Sequence, residues 1–143
     1  MIERSASSDH VVRALRELAS EKPLRLRVEG TSMTPLALPG QCVEISRARF
    51  YLPGDVIAFR AGDGRLWLHR VLGYWPRGWR LGLVTRGDAS PSYEAAFGLD
   101  DVVGKVRGGE CSPLLAGVPV RHRLWAVGRF LALVGRRLIR RLG

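Results

Sequence analysis

The chain has 143 residues, 46% of them hydrophobic and 25% charged, with 17 glycines and 8 prolines. That length holds one core of ordinary size and leaves no room for two full domains, and the apolar content excludes a disordered chain. The net charge of +10 invites an anionic partner, yet the charge is localised: no acid follows Glu110, whereas Arg121, Arg123, Arg129, Arg136, Arg137, Arg140 and Arg141 do, and taking these seven from +10 leaves only +3 for the body.

Ser8 and Asp9 precede Val11, Val12, Leu15, Leu18 and Ala19, apolar at helical spacing, which predicts a capped amphipathic helix over 9–21 that Pro23 ends. Leu24, Leu26 and Val28 then alternate with Arg25, Arg27 and Glu29, the period-two pattern of a half-buried strand running into Gly30. Further strands are predicted at 42–46, 55–60, 66–74, 79–85 and 102–107, bounded by turns such as Pro39-Gly40, Pro53-Gly54, Pro76-Arg77-Gly78 and Arg86-Gly87-Asp88. Short, punctuated strands favour a mostly antiparallel sheet or a partly open barrel, so the expected fold is mainly β. From Val120 the period changes. Leu124, Val127, Leu131, Val134, Leu138 and Leu142 recur at three- and four-residue steps with Arg129, Arg136 and Arg140 on the other side, which predicts a basic amphipathic helix. The expected organisation is an N-terminal helix (1–22), a β domain (23–118) and a C-terminal helix (119–143).

No stretch approaches the roughly 20 apolar residues of a membrane-spanning helix, and the N-terminus has no charged region followed by a long apolar one. The expectation is a cytoplasmic chain without signal peptide or transmembrane helix. Cys42 and Cys111 lie far apart with no histidine or second cysteine spaced for a metal, so neither a metal centre nor any other cofactor is expected.

Ser32 follows the first strand in the run Gly30-Thr31-Ser32-Met33-Thr34-Pro35. The plain reading is a hydroxyl capping a helix that starts near Pro35. The chemical reading is a nucleophile at a sharp turn that glycine permits, with a following backbone N–H facing a developing oxyanion. A serine hydroxyl needs a base within hydrogen-bond reach. The candidates are Lys22, Lys105, His10, His69 and His122. His10 opens the first helix and His122 falls in the arginine-rich tail, so both read as solvated. His69 shares a strand face with Trp67 and Val71, an apolar setting that suits a core histidine and equally keeps an imidazole neutral, as a general base requires. Asp88, in Thr85-Arg86-Gly87-Asp88, is plain turn chemistry or the carboxylate that orients the imidazole; Glu94 is its rival.

Five segments in this order resemble the type I signal peptidase branch of the superfamily that also contains the self-cleaving SOS repressors. They are Gly-Thr-Ser-Met-Thr-Pro (30–35), Pro-Gly-Asp-Val-Ile-Ala-Phe (53–59), Leu-His-Arg-Val (68–71), Thr-Arg-Gly-Asp (85–88) and Val-Val-Gly-Lys-Val (102–106), and together they span about residues 26–107. The resemblance implies a coiled antiparallel β domain, Ser32 as nucleophile and, because histidine replaces the usual bacterial lysine in one branch, His69 as base. It implies Asp88 or a group near Glu94 as the assisting acid. It also implies oxyanion and substrate contacts around Thr31 and Met33. Three departures stand out. Gly30 replaces a serine whose hydroxyl often completes the oxyanion hole, which leaves the Ser32 N–H alone or with Thr31; a short helix stands where the family has an N-terminal membrane anchor; and the basic C-terminal helix has no counterpart in the minimal catalytic domain.

The expected function is a cofactor-free serine endopeptidase acting on a peptide or protein bound as an added strand. The alternative is a non-catalytic peptide-binding or regulatory module on the same fold. Self-cleavage, as in the repressors, lacks both the lysine base and the DNA-binding domain. Residues 121–143 are expected to touch an anionic membrane surface or to dock their apolar stripe on the β domain; their continuous apolar stripe argues against nucleic acid.

Overall fold

The computed structural model describes residues 6–90 and 93–143, with side chains described at 9–90 and 97–143. The strands are β1 (Leu24–Arg27), β2 (Cys42–Ser46), β3 (Val56–Arg60), β4 (Leu66–Arg77), β5 (Arg80–Arg86), β6 (Tyr93–Gly98) and β7 (Val102–Gly109), with helices α1 (Ala6–Glu21), α2 (Pro113–Ala116) and α3 (Val120–Leu142). All seven strands form one antiparallel sheet in the order β1-β2-β7-β3-β4-β5-β6. The fold is thus mainly β, as the sequence leads one to expect. Two elements were not legible. β6 carries Tyr-Glu-Ala-Ala-Phe-Gly, which has no clear alternation, and α2 is a single turn capped by Ser112, whose Oγ accepts from the Leu114 N–H at 3.3 Å.

Register shifts interrupt the ladders at Glu44/Ile45, Ala58/Phe59, Val71/Gly73 and Leu83/Thr85. Each places an extra residue on one strand and increases local twist, so the sheet curls into a half-barrel instead of lying flat. All five residues of β3 are buried, since it lies between β7 and β4 and is covered on both faces. Val56 and Ala58 join Val43, Ile45, Val103 and Val106 beneath α1 and α2, while Ile57 and Phe59 point the other way into a cluster with Tyr51, Val71, Leu83 and Val102. Each such side chain removed from water contributes roughly 1.5–3 kcal/mol before conformational entropy is counted.

In α1 the buried seam is Val12 and Ala19 with Leu15 beside them; Val11 and Leu18, expected on the same face, are exposed. The helix begins at Ala6, so Asp9 lies within its first turn and does not cap it. Its carboxylate pairs with Arg60 at the end of β3, and Arg60 Nη2 also meets Asp101 Oδ1 at 2.6 Å.

Helix α3 docks, though not by its leucine stripe. Ala126 is fully buried against Leu72 and Val84, flanked by Phe130 and Leu133. Two glycines make the seat. A Cβ on Gly73 would stand 2.7 Å from the Phe130 ring, and one on Gly54 (φ +97°) would stand 2.9 Å from Arg123 Cγ. Leu124, Val127, Leu131, Leu138 and Leu142 remain exposed.

Gly73→Ala should therefore push Phe130 off its seat and cost about 1–3 kcal/mol in urea unfolding. The loss should shrink when Phe130→Ala is already present, which a double-mutant cycle measures.

Candidate active site

The segment after β1 is a closed loop: the Val28 N–H donates to Gln41 O at 2.8 Å and the Gly40 N–H to Val28 O at 2.9 Å. Gly30 turns the chain at φ +76°, a conformation that an L side chain rarely adopts. Residues 32–36 then form turns and not a helix, with the Thr34 N–H donating to Thr31 O at 3.1 Å and the Ala37 N–H to Met33 O at 3.0 Å. Met33 and Ala37 are fully buried and anchor this turn in the core, so the capping role considered for Ser32 has no helix to serve. Ser32 itself is half-buried.

It sits at a cleft of about 780 Å³, lined on one side by Leu26–Glu29 and on the other by Arg65–Leu68, with Thr31, Met33, Val43 and Ala58 contributing. Both walls offer unpaired strand edges. Among the described residues β1 pairs only with β2, and β4 pairs with β5 only from Arg70 onward, although its residues from Leu66 are already paired with β3 on the other edge.

His69 stands opposite Ile57 on β4 and is 1% exposed. Its ring packs edge-on against Phe59 at 5.5 Å and Trp67 at 5.2 Å, and neither ring nitrogen has a hydrogen-bond partner among the described residues. Burial among these rings lowers its pKa from 6.5 to about 4, and the nearby charge of Asp88 opposes the shift without cancelling it. The imidazole is neutral at pH 7.

The turn after β5 joins the two. A Cβ on Gly87 would lie 2.9 Å from Ser32 Cβ and 3.2 Å from His69 Nε2, so the hydroxyl-bearing and imidazole side chains converge on one glycine with no space for a methyl group. The Ala89 N–H donates to Ser32 O at 2.8 Å and the Asp88 N–H reaches Met33 Sδ at 3.5 Å, tying this turn to the serine loop. Ser32 Oγ is directed at Leu68 O at 3.5 Å, and the two side chains are neighbours without a hydrogen bond between them. The amides of Thr31 and Ser32 make no hydrogen bond among the described residues.

Asp88 departs from expectation. Both its oxygens accept from Arg70, Oδ1 from Nε at 2.8 Å and Oδ2 from Nη2 at 2.7 Å, so the carboxylate–imidazole contact is not made. Arg70 is 2% exposed and its remaining Nη1 donates to Gly54 O at 2.8 Å. Glu94 belongs to β6 opposite Thr85, but its side chain lies outside those described. Thr31 is exposed beside Ser32, while Met33 meets the cleft from the core.

Sequence reasoning missed a second polar cluster. Asp55, 2% exposed, accepts from Lys105 Nζ at 3.3 Å and from Arg123 Nη1 at 3.0 Å, which occupies one of the two lysines considered as a base and fastens α3 to the loop before β3. His122, read as solvated, is half-buried with an unpartnered Nδ1; burial first, then Arg70 and Arg121, lowers its pKa. His10 is exposed. The available signal was an arginine and an aspartate inside apolar runs, Leu68-His69-Arg70-Val71 and Gly54-Asp55-Val56, since buried charges need partners. No protein-family model matches the chain, and no curated protein is significantly similar to it.

The low His69 pKa makes stability depend on pH. The unfolded imidazole takes up a proton near its ordinary pKa of about 6.5 while the folded one resists to about 4, so this stability is fully present above pH 6.5 and is lost as pH falls between those values. At pH 4 the loss from this group approaches 3 kcal/mol. Wild type should lose more unfolding free energy than His69→Leu between pH 7 and pH 4.5, measured by urea denaturation.

Proposed function

We propose that the protein is a serine endopeptidase resembling the type I signal peptidases, with Ser32 as nucleophile, His69 as general base and no cofactor. The observation that carries this reading is the convergence of Ser32 and His69 on Gly87, with Ser32 lining a cleft walled by two open strand edges and His69 buried behind it. A substrate backbone would add to β1 and to the first residues of β4 as a strand, with alternate side chains entering the cleft. Ser32 Oγ then attacks the scissile carbonyl carbon as its proton passes to His69 Nε2. The Ser32 N–H, with the Thr31 amide or hydroxyl beside it, donates to the oxyanion. Collapse expels the amine, which takes the proton from His69, and water activated by the same imidazole releases the acyl group. Arg70 and Asp88 act together: the guanidinium holds the carboxylate, and through it the turn bearing Gly87, so Asp88 is a positioning residue in this scheme. A base with a pKa of about 4 stays neutral in mild acid, so kcat/KM should be nearly flat from pH 7 down to about pH 5.

A non-catalytic peptide-binding module on the same fold is the second reading. One observation favours it: Ser32 Oγ faces Leu68 O, and among the described residues His69 has neither a hydroxyl nor a carboxylate partner. Labelling separates the two readings. A fluorophosphonate should acylate Ser32, detected by mass spectrometry, and Ser32→Ala and His69→Gln should each abolish the adduct while circular dichroism stays unchanged. Gly87→Ala, whose methyl would occupy the space between the two side chains, should slow labelling by about 100-fold or more, a loss of the size seen when one catalytic group is misplaced. Wild-type protein that resists the probe while still binding peptides would establish the binding module.

A further inference from the structure

The face of α3 that meets the β domain and the face that carries its leucines are different. At about 100° per residue, Val120, Leu124, Val127, Leu131, Leu138 and Leu142 fall in one stripe roughly a third of a turn from the docked line of Ala126, Phe130 and Leu133. These six are exposed, from 37% at Val127 to 88% at Leu142, while Val134 on the same stripe is half-buried. Scattered exposed hydrophobics are ordinary on a monomer, whereas a contiguous stripe along a 23-residue helix marks a contact surface.

Charge and geometry select the occupant. Residues 111–143 contain seven arginines and no acid, and Arg121, Arg136, Arg140 and Arg141 make no ion pair among the described residues. A second copy packed stripe to stripe would add seven more arginines on its own helix and no acid to answer any of them. A clamp-like protein that encloses a basic amphipathic helix needs the side already taken by Leu72, Val84 and Gly73. A planar surface needs only the outward side. No helix among the described residues is long and apolar enough to cross a membrane, which leaves a helix lying in the interface plane. The neighbouring hairpin agrees: Trp75 packs against Phe130 and under Arg137, and beyond it the β4–β5 tip presents a fully exposed Trp79 between Arg77 and Arg80, the residue types that favour the headgroup layer.

We infer that α3 is a membrane-surface anchor for anionic lipid, with the β domain carried on its docked face. Because Arg123 of this helix bonds Asp55 and Pro53 O, the anchor is rigidly joined to the loop that Arg70 also holds, and lipid binding would fix the orientation of the cleft relative to the membrane. The inference does not depend on Ser32 or His69.

Flotation of the full chain with vesicles tests it. Wild type should rise with vesicles of equal parts phosphatidylcholine and phosphatidylglycerol and stay behind with phosphatidylcholine alone. Each arginine near an anionic surface is worth roughly fivefold in affinity, so Arg121→Gln/Arg141→Gln, the two arginines that flank the leucine stripe, should weaken binding by about 25-fold. Leu124→Gln/Leu131→Gln/Leu138→Gln should abolish it, with thermal unfolding little changed because these side chains are exposed and lie outside the buried core clusters. Equal flotation of wild type and the leucine variant would overturn the inference. So would sedimentation showing a dimer that the leucine variant dissolves, or duplex DNA competing all protein off the vesicles at physiological salt. Serine-probe labelling of the wild type at Ser32 and flotation of the wild type are separate readouts, so the two proposals fail separately.

Discussion

A buried guanidinium organises this molecule. Arg70 lies in the middle of β4 with almost no exposure, and its five donors must be answered inside the protein. Asp88 takes two of them in a bidentate pair and Gly54 O a third. Those partners come from the turns on either side of the strand, so satisfying one cation fixes two loops at once. The Asp88 side fixes Gly87 against Ser32 and His69. The Gly54 side fixes the loop whose aspartate, Asp55, holds Arg123 of α3. Removing either member of such a pair strands the other charge and costs roughly 3–5 kcal/mol, a large share of an ordinary domain's stability.

The same pairing explains why Asp88 is not on the imidazole of the candidate dyad. Arg70 outcompetes His69 for Asp88, because a bidentate charged pair is stronger than a hydrogen bond from a neutral ring. The imidazole is instead held by Phe59 and Trp67, whose edge contacts constrain the ring by packing. Its orientation is thus set by shape, and its protonation state by exclusion of water.

Much of this was legible in the sequence. The alternation of Leu24 to Glu29, the turn signals and the helical period after Val120 gave strands and helix close to their observed bounds. The Ser32 turn, His69 on an apolar strand face and the Gly87-Asp88 turn were also identifiable, because glycine-bearing turns and strand parity are local properties. What was not legible depends on partners distant in the chain. Whether Asp88 meets His69 or Arg70 is decided by geometry across 18 residues. The docked line Ala126-Phe130-Leu133 was hidden by a stronger leucine pattern beside it, and its seat is the absence of a side chain at Gly73 on another element. β6 lacked alternation and is specified by pairing with β5.

The open edge of β1 has a further consequence. An unpaired strand is a template for any extended chain, including another molecule of the same protein, and such edges are where fibrils begin. β1 is only four residues long, and its outward side chains are Arg25 and Arg27, both exposed. Arg25 is paired with Glu110 at 3.6 Å, so it is mainly the charge of Arg27 that disfavours an identical neighbour on so short an edge, while the backbone stays open to a chain of different composition. The protein can therefore keep an adhesive border without condensing on itself, and the acidity of an extended visitor would decide how well that border accepts it.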